Sequence, residues 1–169
     1  MKKLGIFLCM GLAGLAFTAC NRAPSGTEAS DRTSSSTEAG LSKPADSAGE
    51  TTWGSYLAEQ GKIHGKDVGM RPYIYVVPGG DSSAAEARRK NEADSIVTGV
   101  GNIVVPGSLL IIGGPDAGST QAFAEGIAKN IKPGALKDVT VLIVSDATQK
   151  DPLAKAFEPT GARLRVVSM

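Results

Sequence analysis

From Pro72 onward the chain repeats one pattern of apolar and polar positions. A proline opens each unit, a nearly unbroken apolar run follows, and a polar turn then leads into a helical pattern. The units are "PYIYVVPGGDSSAAEARR" from Pro72, "PGSLLIIGGPDAGSTQAFAEGI" from Pro106, "PGALKDVTVLIVSDATQKDPLAKAF" from Pro133, and "PTGARLRVVSM" from Pro159, which stops at its apolar run. The last two spacings, 27 and 26 residues, are close to the minimum for a strand, a crossover helix and the next strand. Tyr73 to Val77, Leu109 to Ile112, Val139 to Val144 and Leu164 to Val167 lack the alternation of a half-solvated strand. Runs of that kind are covered on both faces, as in a parallel sheet. The pattern predicts a small three-layer α/β domain with a mainly parallel sheet of about four strands and right-handed crossover helices. The prolines stop each helix and reset the chain for the next strand. Upstream, "TTWGSYLAEQGKIHG" (Thr51 to Gly65) predicts a short helix that packs Trp53, Tyr56 and Leu57 on an exposed edge. Ile103 to Val105 either extends the first crossover or forms a minor strand, and the pattern leaves strand order open.

The rhythm is absent before residue 51. Asn21 to Glu50 is rich in Ser, Thr, Ala, Gly and Pro, with Leu41 its one large apolar residue. Such a stretch buries too little surface to offset its ordering entropy and is expected to be a disordered tether. Some thirty flexible residues have a root-mean-square span of about 30 Å and stretch to about 100 Å. Met1 to Phe17 carries Lys2 and Lys3 and then an apolar run from Leu4, which is too short to span a bilayer and has the layout of an export signal. The expected organisation is therefore a signal peptide over 1–19, Cys20 and tether over 20–50, and an α/β domain over 51–169.

The end of the signal, "FTAC", resembles the lipobox of bacterial lipoproteins, with Phe17 where a leucine is usual. The resemblance covers only the export signal and implies acyl chains, palmitate among them, on Cys20, which becomes the new N-terminus. Asn21 stands where an aspartate commonly signals retention in the inner membrane, so the same resemblance implies an outer-membrane address. The head would then face the periplasm, with cell-surface exposure left open. Several chains on one residue anchor stably without spanning the bilayer.

Charge and cysteine count narrow the chemistry. With 18 basic and 17 acidic residues there is no basic field for nucleic acid. The densest positive patch, "ARRKNE" (Ala87 to Glu92), lies within an acid-interleaved helical pattern and is expected to be a solvated helix face. Cys9 would leave with the signal and Cys20 would be acylated, so the head has no thiol chemistry. Its single histidine, His64, is expected on a solvated loop; no metal cluster and no cofactor is expected.

Two motifs remain. Gly113 to Thr120, "GGPDAGST", resembles the phosphate-binding loop Gly-x-x-x-x-Gly-Lys-[Ser/Thr] at every fixed position but one: Ser119 replaces the lysine. Asp116 adds a carboxylate that would repel phosphate, so a turn with Asp116 capping the next helix is expected, and nucleotide is not. The amides of Gly118, Ser119 and Thr120 could still hold a small anion or a partner's carboxylate. Asp81, Asp116 and Asp146 would all lie at the carboxyl ends of strands, where ligands bind in open parallel sheets. This rim of Asp81, Asp116, Ser119, Thr120 and Asp146 supports two expectations. One is a non-catalytic head that binds another envelope protein, as an assembly component or inhibitor-type module. The other is a periplasmic hydrolase or transferase using the aspartates as acid, base or cation ligands.

Overall fold

The computed structural model describes residues 42–100 and 102–169. The signal, Cys20, Asn21 and all of the expected tether up to Leu41 lie outside the described residues. Helix α1 (Glu50–His64) leads into β1 (Tyr73–Val76), α2 (Ser83–Gly99), β2 (Leu109–Gly113), α3 (Ala117–Asn130), β3 (Thr140–Ser145), α4 (Lys150–Phe157) and β4 (Arg163–Ser168). Short 3-10 turns, Ala147–Gln149 and Glu158–Thr160, flank α4. The strands form one parallel sheet in the order β1-β2-β3-β4. This is the α/β fold the apolar runs predict.

Strand order explains the layers. When consecutive parallel strands are neighbours, every crossover of one hand passes over the same face. Accordingly α2, α3 and α4 share a core with Leu110, Ile112, Val141 and Ile143. The alternate residues, Leu109, Ile111, Leu142 and Val144, point the other way and meet α1 through Trp53, Tyr56 and Leu57. Helix α1 thus lies on the sheet face that the three crossovers leave bare, over β1 to β3, and does not sit at an edge. His64 ends this helix, half-buried, instead of lying on a loop. Ile103–Val105 is no full strand: Val104 makes an isolated parallel bridge to Val100.

The folded head also starts upstream of residue 51. Ala45 and Ala48 close a turn (Ala48 N–H to Ala45 O, 2.8 Å), and Ala48 packs on the Trp53 side of the core. Lys43 pairs with Asp46 at 2.9 Å, and its ammonium lies 5.9 Å from the Trp53 ring centroid. The boundary expected at 51 therefore moves back into the 40s. The polar composition of this segment concealed it, because one alanine and one lysine stem supply the contacts.

Two glycines join the layers above the future rim. A Cβ on Gly113 would lie 2.6 Å from Leu57 Cδ2, so α1 approaches β2 as closely as it does because no side chain intervenes. A Cβ on Gly114 would collide with the Val77 carbonyl oxygen, so the turns after β1 and β2 touch backbone to backbone.

Candidate functional site

The aspartates that follow the strands have different local roles. In the turn after β1, Gly80 takes a φ of 86°, Asp81 projects to solvent, and Ser82 caps α2 by accepting from Ala85 N–H at 3.2 Å. After β2, Asp116 is the N-cap of α3: its Oδ2 accepts from the Ser119 N–H at 2.6 Å. Thr120, fully buried, turns its hydroxyl back to the Asp116 carbonyl at 2.9 Å. After β3, Asp146 Oδ1 accepts from both the amide (2.8 Å) and the hydroxyl (2.7 Å) of Thr148.

These contacts set the protonation of the rim. Hydrogen bonds from the Ser119 side chain, then from its amide, hold the Asp116 carboxyl below the ordinary aspartate value. The Thr148 side chain, then its amide, does the same for Asp146. Among the described residues no group of three His, Cys, Asp or Glu side chains is placed to share a metal ion. The expected rim therefore does not converge. The reason is topological: the ligand crevice of an open parallel sheet forms where the strand order reverses, and in β1-β2-β3-β4 it never does.

What does form is an open cleft of about 460 Å³ at the carboxyl ends of β1 and β2. Of the rim aspartates it takes only Asp116, and it adds Asp46, Glu50, Trp53, Gly79 and Arg88. Arg88 is held by Glu50 and Glu92, each at 2.8 Å. Arg89 Nη1 donates to the carbonyls of Pro78 and Gly80, both at 2.8 Å, and so ties α2 to the turn after β1. With Lys90 paired to Asp94 at 2.7 Å, the positive patch of "ARRKNE" is engaged in contacts of its own helix and neighbours. Trp53 is 1 % exposed, and its Nε1–H has no hydrogen-bond partner among the described residues.

Sequence reasoning missed the meeting of Asp46, Glu50 and Arg88, because only the packing of α1 on one face of the sheet and α2 on the other brings them together past the carboxyl end of β1. It also missed Gln149, whose Nε2–H donates to the Ala117 carbonyl at 3.1 Å while its Oε1 accepts from the buried Ser145 hydroxyl at 2.5 Å. That bridge ties the turn after β3 to the first residue of α3, and no local pattern announces it. No family model, curated protein or solved structure matches the chain.

Proposed function

We propose that this protein is an envelope lipoprotein. Acyl chains on Cys20 hold it to the outer membrane, the polar stretch after Cys20 is a tether, and the α/β head binds another envelope protein in the periplasm without catalysing a reaction. Support for the anchor comes from "FTAC" and the charge and length of the segment before it. No helix among the described residues is long and apolar enough to cross a membrane.

One observation carries the non-catalytic head. Asp116 is the rim aspartate that lines the cleft, and its carboxylate is fastened to the first turn of its own helix. A carboxylate so held is a weak base near neutrality, far from the matched pKa that proton transfer needs. It also occupies the amide that a bound phosphate would use.

Replacing Cys20 by Ser should move the chain from the membrane fraction to the soluble one. A variant that stayed fully membrane-bound would overturn the anchor. A second function, hydrolysis or group transfer, draws on the cleft's gathering of Asp46, Glu50 and Asp116 around Arg88. Asp116→Asn separates the two, since asparagine caps a helix as well as aspartate does. A binding head keeps both its stability and its partner; an enzyme keeps its stability and loses turnover.

A further inference from the structure

The two outer edges of the sheet are built differently. The Val77 N–H donates to the Gly113 carbonyl at 2.7 Å, which fixes the alternation along the strand. The backbone groups of Tyr73, Tyr75 and Val77 point at β2, and those of Ile74 and Val76 point outward. Among the described residues no hydrogen bond reaches those outward groups. The next outward positions are Pro72 and Pro78, neither of which has an N–H. The Pro78 carbonyl is already taken by Arg89. An open ladder of two residues is thus bounded by a proline at each end. No residue of β1 is charged, and all four are half-buried. Ile74 and Val76 floor an open groove beside Gly54, Ser55 and Ala58 of α1.

We infer that the β1 edge is a self-association surface, on which a second copy of this chain lies antiparallel with the two-fold axis at Tyr75. In that register Ile74 faces the partner's Val76 and Val76 faces the partner's Ile74. Every outward N–H and C=O of the two residues then finds its mate. Pro78 faces the partner's Pro72, which has no N–H to bring to the carbonyl that Arg89 holds. The prolines that bound the ladder on one copy thus meet those of the other at both ends, so the two-residue register is the same for each partner, and with no charge on β1 nothing opposes the pairing; this is why the occupant is a second copy. Tyr75 meets the partner's Tyr75 at the non-hydrogen-bonded position, with Cα atoms about 4.5 Å apart, as a cross-strand aromatic pair. The β4 edge disfavours the equivalent arrangement. There the Arg163 and Met169 N–H groups donate inward to β3, so pairing Leu164 with Val166 would set Arg165 against the partner's Arg165. This self-association does not depend on the anchor.

Disulfide trapping in the full chain tests it. Tyr75→Cys under mild oxidation should give a cross-linked dimer well above the background of the parent chain, whereas Arg163→Cys should stay at that background. Adding Val76→Pro to Tyr75→Cys removes one outward N–H per copy without touching a bond to β2, and should cut the cross-link several-fold at little change in Tm. Equal cross-linking from Tyr75→Cys and Arg163→Cys, or a yield indifferent to Val76→Pro, would overturn the inference. Should either variant lose cooperative unfolding, sedimentation of the parent chain decides: a concentration-dependent dimer supports the inference and a monomer throughout overturns it.

Discussion

The two flanks of the sheet are both partly exposed but are fastened differently. On the β1 side every strand residue is half-buried, and α2, seventeen residues long, buries only Ile96. On the β4 side the edge strand is pinned by charge. Arg165 makes paired bonds to Asp67 at 2.7 and 2.6 Å and donates to the His64 carbonyl, while Arg163 meets Asp138 at 3.2 Å. Between the flanks, β2 and β3 are buried at every residue. The contrast teaches that an open parallel sheet can guard its edges by unlike means. Arginines disfavour self-pairing of β4, whereas β1 is only shortened by prolines and stays available over two residues.

The largest expected effect contrasts the centre with the open flank. Ile111→Ala, at a fully buried position of β2, should cost about 2–5 kcal/mol. Ile74→Ala, on the half-buried edge, should cost well under half as much. Denaturant midpoints at equal m-values check both, and equal losses would erase the distinction between centre and edge.

Next is the seam that joins the open flank to the centre. Gly114→Ala drives a methyl into the Val77 carbonyl and should cost about 1–3 kcal/mol, with protection against hydrogen exchange lost first in β1 and α2. Gly118→Ala meets only ordinary contact with the Asp116 carboxylate and lies in a helix, so it should cost nothing or stabilise.

A smaller effect distinguishes the turns. Asp116→Ala should lose about 1 kcal/mol with its cap, and Asp81→Ala, on the open flank, should leave the melting temperature unchanged because Ser82 caps α2. Loss of stability from both would mean that the aspartates act alike after all.

The smallest effect concerns the pinned flank. Hydrogen bonding to Arg165, first among its causes, lowers the Asp67 carboxyl from 3.8 to about 2. A carboxyl lowered on folding stabilises the fold above its unfolded value, and that contribution fades as pH falls from about 4 through 2. The exposed pair makes it slight. Asp67→Asn should therefore be the less stable chain at neutral pH, and its deficit should close across that window.

Much of this was legible in the sequence. The apolar runs of β2 and β3 gave strands covered on both faces, and Asp116 in "GGPDAGST" gave its cap, because both signals are local. The role of α1 was not legible: the strand order that bares one face of the sheet is a long-range fact. Asp81, Asp116 and Asp146 look alike in the repeated unit, yet Ser82 takes over the cap of Asp81 and the unreversed sheet keeps the three apart. Arg88 was legible only as part of the positive patch "ARRKNE", and its meeting with Asp46 and Glu50 was not, since that depends on where α1 docks. Even the open ladder of β1 is readable only once Val77 is known to bond to Gly113.

The difference between the edges is tested most directly by amide hydrogen exchange, residue by residue, at low and high protein concentration, in the Cys20→Ser variant, which lacks the proposed acylation site. The Ile74 and Val76 amides should be unprotected when dilute and become protected as concentration rises. The outward amides of Leu164 and Val166 on β4 should stay unprotected throughout. Protection of Ile74 and Val76 that ignores concentration, or a rise shared by Leu164 and Val166, would contradict the account.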